Sequence, residues 1–372
     1  MVKRYIVVGV VTGALLALGA PPVAAATPSG SASATWQTNG PVYAVAYAGG
    51  RVYLGGAFTA VRPPGSSTST SRNHVAAFSA STGALLSWNP NADGTVRAIA
   101  VGPAGTVYLG GQFSHVRATQ RLKLAAVTPD TGALTSWAPK ANALVRALGV
   151  TSDGATVYAG GDFTTVGGLT RLHAVAISTS SGGVRSWKAD ATSSGGTFAN
   201  VAALSIAGSR VYLGGTFTAV NGVARVNSAA VSASSGSVQS WRVKTPSTVL
   251  AIAHDSGRVY IGGRGSGGYL RAFDVSTAAQ RWDAPADGDV QALYLRGSQL
   301  YVGGHFNTLR SVTRHHLAAL DAGTGGVLGW NPGVNGSVGI LAIGGDSSHV
   351  GVGGDFTFIG GRSQQDFAQF AG

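Results

Sequence analysis

The chain has 372 residues, of which 44% are hydrophobic and only 11% are charged, a composition that argues against a disordered chain. It contains no Cys and no Glu, since all 14 acidic residues are Asp. This excludes disulfides, thiolate metal sites and the HExxH metalloprotease motif. The net charge of +12 either keeps the protein soluble or draws it to anionic polymers.

Residues 1–26 have the pattern of a secretory signal. Lys3 and Arg4 precede an apolar run that is too short and too early for a membrane span, and residues 24–26 are three Ala, a small-x-small cleavage site. We therefore expect a secreted protein in which a linker, residues 27–33, precedes the folded domain. An uncleaved membrane anchor is the alternative. Without Lys3 and Arg4 the net charge is +10.

One phrase recurs along the rest of the chain. Its complete form, from Val96 to Trp137, reads as four short apolar stretches separated by Gly, Pro, Ser or Asp, which is typical of one propeller blade. The second stretch of each copy has an apolar or aromatic run before a Gly-Gly pair, and paired glycines within a strand indicate close approach of another chain segment. The seven pairs begin at Gly55, Gly110, Gly160, Gly214, Gly262, Gly303 and Gly353.

The tryptophans give an independent count of the repeats. Six of the seven Trp close one repeat each, whereas the seventh repeat stops at residues 366–370, before a Trp stretch of its own. The remaining one, Trp36, precedes the first repeat, so residues 34–38 are predicted to pair with 366–370 as the outer strand of the last blade. The predicted fold is an all-β, seven-bladed β-propeller over residues 34–372, with four antiparallel strands per blade. An open solenoid is the alternative.

Two families resemble these repeats. Residues 270–282 are similar to the tryptophan-docking motif of quinoprotein-like propellers, with Ala272, Asp274, Thr277 and Trp282 at the motif's spacing. The phrase VYLGGxFTxVxGxxR, seen best at 211–225, resembles the delta-60-type repeats of secreted bacterial propellers. Both resemblances imply the fold, and the quinoprotein-like one also implies that the Trp residues pack against neighbouring blades. No cofactor site of the quinoprotein enzymes can be carried over, so no cofactor is predicted.

The loops divide into two sets by strand parity. Turns between strands one and two, and three and four, are short, whereas the loops on the other end of the blades are long and varied. An Arg recurs in these long loops where the third strand begins, and we interpret it as structural, binding carbonyls or an Asp, although a ligand-facing ring of cations is an alternative. The recurrent residues are Arg72, Arg121, Arg171, Arg225, Arg314 and Arg362.

Repeats five and six are the least regular. Repeat five replaces the FTxV loop by GRGSGG, which predicts a tight turn and a notch in the rim rather than a dinucleotide site, because no helix follows. The neighbouring stretches gather several Asp and His, side chains suited to proton transfer or hard-metal ligation. The candidate binding residues are Asp283, Asp287, Asp289, His305, Arg314, His315 and His316. Their spacing matches no metal loop, so no metal is predicted, with Ca²⁺ as the alternative.

The sequence thus predicts an extracellular, monomeric binding module for an anionic polysaccharide, a cell-wall polymer or another surface protein. No specific nucleic-acid site and no membrane span after residue 26 are predicted. Two alternatives stay open: a hydrolase or lyase that uses Asp and His on the long-loop face, and a purely structural surface protein.

Overall fold

The structure is a computed structural model that describes residues 27–194, 198–265 and 267–372. The predicted signal segment and Ser266 of the predicted turn lie outside the described residues. Within the described ranges the chain is all-β: it forms many small antiparallel sheets and no α-helix. No helix in this part of the chain is therefore long and apolar enough to cross a membrane.

The strands follow the repeats. The first two repeats contain β1 (Gln37–Thr38), β2 (Val42–Ala48), β3 (Arg51–Gly56), β4 (Ala60–Arg62), β5 (Thr70–Ser71), β6 (Val75–Ser79), β7 (Val96–Val101), β8 (Val107–Gly111), β9 (His115–Val116), β10 (Thr119–Gln120) and β11 (Leu124–Val127). The next two contain β12 (Val145–Val150), β13 (Thr156–Gly161), β14 (Thr165–Val166), β15 (Leu169–Thr170), β16 (Ala174–Ser178), β17 (Ala191–Thr192), β18 (Asn200–Ala207), β19 (Arg210–Thr216), β20 (Ala219–Val220), β21 (Val223–Ala224) and β22 (Ser228–Ser232).

The last three repeats complete the series. They contain β23 (Val249–His254), β24 (Arg258–Gly263), β25 (Tyr269–Asp274), β26 (Gln280–Pro285), β27 (Asp289–Arg296), β28 (Gln299–His305), β29 (Thr308–Leu309), β30 (Val312–Thr313), β31 (Leu317–Asp321), β32 (Gly339–Gly345), β33 (His349–Asp355), β34 (Phe358–Ile359), β35 (Arg362–Ser363) and β36 (Phe367–Ala371).

Each repeat forms one main sheet, and we number these sheets 1 to 7 in chain order. In each of them the second strand lies between the first and the third. Among the described residues only sheet 5 has a full fourth strand, β26, so the prediction of four strands in every repeat was wrong for the others. In sheets 1, 2, 3, 4 and 6 the fourth stretch makes a single bridge to the third strand, as between Phe78 and Leu85, because an Arg side chain binds the carbonyl of the next residue, Leu86 in sheet 1. In sheet 7 two backbone amides before β1 bond to the third strand.

The long loops between second and third strands are ordered rather than open. In every sheet except sheet 5, the loop folds into a two-stranded hairpin, such as β9 with β10. The connection that follows the preceding Trp pairs with this hairpin, either as a strand, as β17 does with β20, or as a single bridge, as between Ala92 and Val116. The hairpins therefore cover the junctions between neighbouring sheets.

The Gly-Gly pairs allow two close approaches. A Cβ on the first glycine of a pair would lie within 3 Å of a branched side chain on the first strand of the next sheet: Gly55 meets Val96 in this way. A Cβ on the second glycine would strike a backbone carbonyl at or just before the start of the first strand of its own sheet; for Gly56 this is the Pro41 carbonyl. The first glycine thus allows close packing between sheets, and the second allows close packing within its own sheet.

The same packing joins sheet 7 to sheet 1. A Cβ on Gly353 of β33 would overlap the side chain of Val42 in β2. Strand β2 contacts β32 as well as β7, and every other first strand likewise contacts the first strands of the two neighbouring sheets. The seven first strands therefore form a continuous cycle of contacts.

The tryptophans pack between sheets, as the resemblance implied. Trp88 lies edge-on against Tyr53 at 5.1 Å between ring centroids, and its Nε1 donates a 2.9 Å hydrogen bond to the Thr128 carbonyl of sheet 2. Trp137, Trp187, Trp241 and Trp282 donate in the same way to the sheet that follows their own. Each indole thereby ties one sheet to the next.

The predicted pairing of residues 34–38 with 366–370 was wrong in its register. The Ser29 and Ser33 amides donate to the carbonyls of Ala371 and Gln369, each at 2.8 Å, whereas β1 pairs with β4. In the other sheets, the residue whose amide makes the equivalent bond lies two positions before the Trp, as Leu86 does before Trp88. By this count Thr35, and not Trp36, occupies the position of the Trp in sheet 7. Trp36 instead packs against Phe78 of sheet 1, with 6.1 Å between ring centroids.

Candidate functional site

The seven candidate residues of repeats five and six do not form one cluster. Asp283 pairs with Arg271 at 3.3 Å between neighbouring strands of sheet 5. His315 is exposed, and its Nδ1 lies 3.1 Å from the Asn307 side-chain oxygen. The predicted notch therefore separates into several small groups of contacts with different roles.

Asp287 is a cap for the neighbouring hairpin. One of its carboxylate oxygens accepts the amides of Asn307 and Thr308 at 2.8 and 2.9 Å, and these bonds hold its pKa below the usual range despite the opposing effect of burial. The residues at the matching positions of other repeats accept two successive amides in the same way; they are Asn39, Asp93, Asn142 and Asn335. Asp287 is thus part of the scaffold.

The recurrent arginines bind backbone carbonyls. Arg314 donates from Nη1 to the Thr313 carbonyl at 2.8 Å and from Nη2 to the Leu328 carbonyl at 2.7 Å. The second bond reaches the fourth stretch of the sheet, where it stands in for a strand-to-strand hydrogen bond. The same two bonds, to the preceding residue and to the residue fourteen positions later, are made by Arg72, Arg121, Arg171 and Arg225.

Arg362 does not belong to this series. It lies exposed in β35, and the backbone position that matches Arg314 in sheet 7 is occupied by Gln364, whose amide bonds to Thr357. The Gln364 side chain donates to the carbonyls of Thr35 and Phe367, at 3.2 and 2.7 Å. A glutamine therefore takes over the carbonyl-binding role in sheet 7.

Asp289, His305 and His316 are the candidates that the structure brings together. Asp289 and His305 are paired residues of β27 and β28, and Asp289 accepts a 3.2 Å bond from Nε of Arg264. The rings of His305 and His316 stack at 5.9 Å between centroids, with 9° between their planes. His305 is exposed and His316 is buried.

Burial lowers the pKa of His316, and the neighbouring His305 and His315 lower it further. Among the described residues no group of three or more His and Asp side chains has the geometry to hold a metal ion. This arrangement supplies a neutral imidazole stacked on a solvent-facing one, beside an aspartate that already pairs with Arg264.

The sequence interpretation missed a set of residues at the start of the first strands. Each first strand has a β-bulge there, for example between Val96 and Ala98, and the extra residue is polar in four sheets: Tyr43, Arg97, Arg146 and Gln291. A signal was visible in the sequence, because a polar residue follows the first Val of otherwise apolar stretches such as VRAIAV and VRALGV.

Charge is divided unequally between the two ends of the sheets. We call the end at which the first strands begin and the second strands finish the long-loop end. By position in the chain, eighteen Lys and Arg but only eight Asp belong to the segments of this end, whereas the segments of the opposite end have six Lys or Arg and six Asp. Two of the eighteen, Arg117 and Arg310, extend from the hairpins to carbonyls in the turns between third and fourth strands. The net charge of residues 27–372, which is +10, therefore belongs mainly to the segments of the long-loop end.

Comparison with known proteins gives information about the fold and not about the function. No protein-family model matches the chain, and no curated protein matches it. Among solved structures, the crystal structure of the computationally designed Ika8 protein is similar, with a TM-score of 0.56 and 13% identity over 93% of this chain and 100% of that one. The chain thus shares an all-β, propeller-like arrangement of small antiparallel sheets with this designed protein.

Proposed function

We propose that the chain is a secreted, seven-bladed β-propeller that binds an anionic polymer through its long-loop end. The seven main sheets, the cycle of contacts between first strands and the packing of Gly353 on Val42 support the propeller. The delta-60-like phrase, seen best at residues 211–225, agrees with such a scaffold. The polymer is an acidic polysaccharide or a phosphate-containing cell-wall polymer.

The unequal charge of the two ends carries this proposal. Several cations of the long-loop end have exposed side chains and no carboxylate partner among the described residues, and they lie on the connections after Trp137 and Trp241. These residues are Lys140, Arg242 and Lys244. A flexible polyanion can contact such dispersed charges at once, whereas the opposite end has a much smaller excess of positive charge and offers a weaker attraction.

The test is binding of the folded protein to polygalacturonate and to poly(glycerol phosphate) across a range of salt concentrations. Exposed charges are screened beyond about 8 Å at physiological ionic strength, so affinity should fall steeply as salt rises. The double variant Arg242→Ser with Lys244→Ser should bind both polymers more weakly at low salt.

The matched control is Arg185→Ser with Arg281→Ser, which removes two positive charges from the opposite end. It should bind the polymers as the unmodified protein does once its folding has been verified. Equal losses in both variants would contradict binding at the long-loop end. Absence of binding to both polymers at low salt would instead favour a purely structural surface protein.

A further inference from the structure

A groove at the junction of sheets 1 and 2 is lined mainly by polar side chains, and we call it the His115 groove. Its volume is about 400 Å³, within the roughly 300–1,000 Å³ range of small-molecule sites. It lies at the long-loop end, between the start of the third strand of sheet 1, the connection after Trp88 and the hairpin of sheet 2. The lining residues are Asn73, Asn91, Ala92, Asp93, His115 and Ala118.

Asp93 fixes the orientation and the tautomer of His115. One carboxylate oxygen accepts the amides of Ser114 and His115 at 2.7 and 2.9 Å, and the other lies 2.9 Å from Nδ1 of His115. Burial opposes ionisation, but the bonds from His115 and Ser114 hold the pKa of Asp93 below its usual range. Because an ionised carboxylate only accepts hydrogen bonds, Nδ1 carries the proton of the neutral ring, and Nε2 is left as an acceptor.

The two asparagines of the groove add a second acceptor and a donor. Nδ2 of Asn73 donates to Oδ1 of Asn91 at 2.8 Å. This leaves Oδ1 of Asn73 and Nδ2 of Asn91 without a partner among the described residues. Nε2 of His115 likewise bonds to no group in the described ranges. The His115 groove therefore offers two acceptors and one donor group to a ligand.

The other repeats show that packing does not require these polar residues. The first hairpin residue is His115 in sheet 2, and in the other sheets with a hairpin it is Ala60, Thr165, Ala219, Thr308 or Phe358. The residue after the recurrent Arg is Asn73 in sheet 1, and in sheets 2, 3 and 4 it is Leu122, Leu172 or Val226. Because apolar or small side chains serve at these positions elsewhere, the scaffold does not explain the polar set of the His115 groove.

A second groove, at the matching position between sheets 3 and 4, shows how a junction uses such groups for its own stability. Its volume is about 370 Å³. One Asp190 oxygen accepts the Leu172 amide, and the other lies 3.2 Å from Nζ of Lys188. The Asn221 side chain accepts the Asp190 amide at 2.9 Å and donates to two backbone carbonyls. These side chains are occupied by internal bonds, whereas those of the His115 groove keep free groups.

We propose that the His115 groove binds one neutral sugar residue through two adjacent hydroxyl groups. A hydroxyl both donates and accepts hydrogen bonds, so two of them match the free groups of Asn73, Asn91 and His115. Among the described residues no Lys or Arg side chain lines the groove, whereas the Asp93 carboxylate does. An anionic ligand would therefore gain no charge-assisted bond there. This site goes beyond the proposed polymer binding, and neither proposal depends on the other.

The probes are methyl glucoside, methyl galactoside and methyl mannoside, titrated into the full protein and followed by the imidazole nitrogen signals in NMR. At least one of them should shift the His115 signals in a saturable manner, and the matching uronic acid should bind no more tightly. His115→Ala should weaken the binding roughly five-fold, because one hydrogen bond is lost. The matched control is His315→Ala, since His315 is also exposed at the long-loop end but lies outside the groove.

Asp93→Asn tests whether the carboxylate acts by positioning the imidazole. Asn39 and Asn142 cap hairpins in other repeats, so this variant should keep the melting temperature of the unmodified protein. With its oxygen on the backbone amides, the new side chain presents Nδ2 to His115, which moves the ring proton to Nε2. The imidazole nitrogen signals should show this change of tautomer, and sugar binding should fall roughly five-fold. A merely structural Asp93 would leave the binding unchanged.

The proposal is overturned if none of the three glycosides binds the unmodified protein, or if His115→Ala and His315→Ala bind equally well. Tighter binding of the uronic acid would also contradict it, because the groove would then act through charge. Polygalacturonate binding by the exposed loops should be the same in His115→Ala as in the unmodified protein, so failure of one proposal can be distinguished from failure of the other.

Discussion

The side chain of Gln364 donates hydrogen bonds to the backbone carbonyl and the Oγ1 of Thr35, at 3.2 and 3.1 Å. The two residues are 329 positions apart in the chain. Since both are buried, this contact fixes residues 29–38 against sheet 7. In sheet 7 the Gln364 side chain thus binds backbone carbonyls, as the guanidinium of the recurrent Arg does in other sheets.

Replacing Gln364 should weaken this connection. Gln364→Ala removes the donor and leaves buried carbonyls without their partner, so we expect a loss of about 1–3 kcal/mol in the free energy of unfolding. Chemical denaturation measures the loss, and limited proteolysis should show faster cleavage within residues 27–40. Gln120→Ala, at an exposed site, should change neither. Unaltered stability in Gln364→Ala would show that the contact is incidental.

The packing of sheet 7 on sheet 1 should not tolerate a methyl group at Gly353. A Cβ there would overlap the Val42 side chain, and overpacking in a closed interior costs about 1–3 kcal/mol. Gly353→Ala should therefore lower the melting temperature clearly. Gly329→Ala is the control, because a Cβ at that position meets nothing within 4 Å. Equal melting temperatures for the two variants would disprove the close packing.

The pH dependence of stability should reflect Asp366. Burial raises its pKa to about 7, so the folded state favours the protonated carboxyl. Its stabilising contribution is complete below pH about 4 and is lost as pH rises through about 7. Asp366→Asn should remove this loss, which urea denaturation between pH 4 and 8 can measure. Asn227 has the matching left-handed backbone in sheet 4, with φ of 61° for both residues, so Asn is compatible with the position.

Three buried or half-buried histidines should give stability the opposite dependence on pH. Burial lowers the pKa values of His74, His173 and His316, so the neutral rings are favoured in the folded state, and stability should fall as pH drops below about 6.5. Denaturation midpoints measured from pH 7 to 5 in the Asp366→Asn background isolate this effect. A midpoint that rises on acidification in that background would contradict it.

Substitution of the adjacent residues His315 and His316 should have very different effects on the free energy of unfolding. His316→Ala should reduce the free energy of unfolding by about 1–2 kcal/mol, because it removes a buried, stacked ring at a backbone φ of 63°. His315→Ala should change it by no more than about 0.5 kcal/mol, because its side chain is exposed. Similar melting temperatures for the two variants would show that the stacking with His305 does not stabilise the protein.

Sequence patterns revealed the repeats because the packing requirements recur. A Gly-Gly pair packs at every junction between main sheets and a Trp at six of the seven, as Gly55 and Trp88 illustrate, so they could be counted without coordinates. The register at Trp36 could not be predicted, because Thr35 occupies the tryptophan's place and the side chain that would mark the position is absent. The prediction that the Asp and His residues of repeats five and six form one cluster was wrong for a related reason. Asp287 caps the neighbouring hairpin, a local role that Asn and Asp share in other repeats.

The polar bulge residues of the first strands escaped prediction for a different physical reason. A bulge residue breaks the alternation of a strand, so periodicity assigns Arg97 and Gln291 to no face. Only the contacts of Val96 and Ala98 show that the residue between them faces neither sheet. Recurrence alone identified the structural arginines, but it could not show that Gln364 replaces an arginine in the seventh repeat.

The indole hydrogen bonds also bear on how such a chain can change its length by duplication. Trp330 donates to the Ser29 carbonyl at 3.0 Å, in the manner in which the five indoles from Trp88 to Trp282 donate to the sheet that follows their own. An inserted copy that runs from one Trp to the next would bring its own indole and its own acceptor carbonyl, and residues 29–38 would still meet the last copy. Gain or loss of whole repeats in the gene can therefore preserve every kind of junction between sheets. The new constraint is the angle between neighbouring sheets, which has to change when a different number of sheets completes the cycle of contacts.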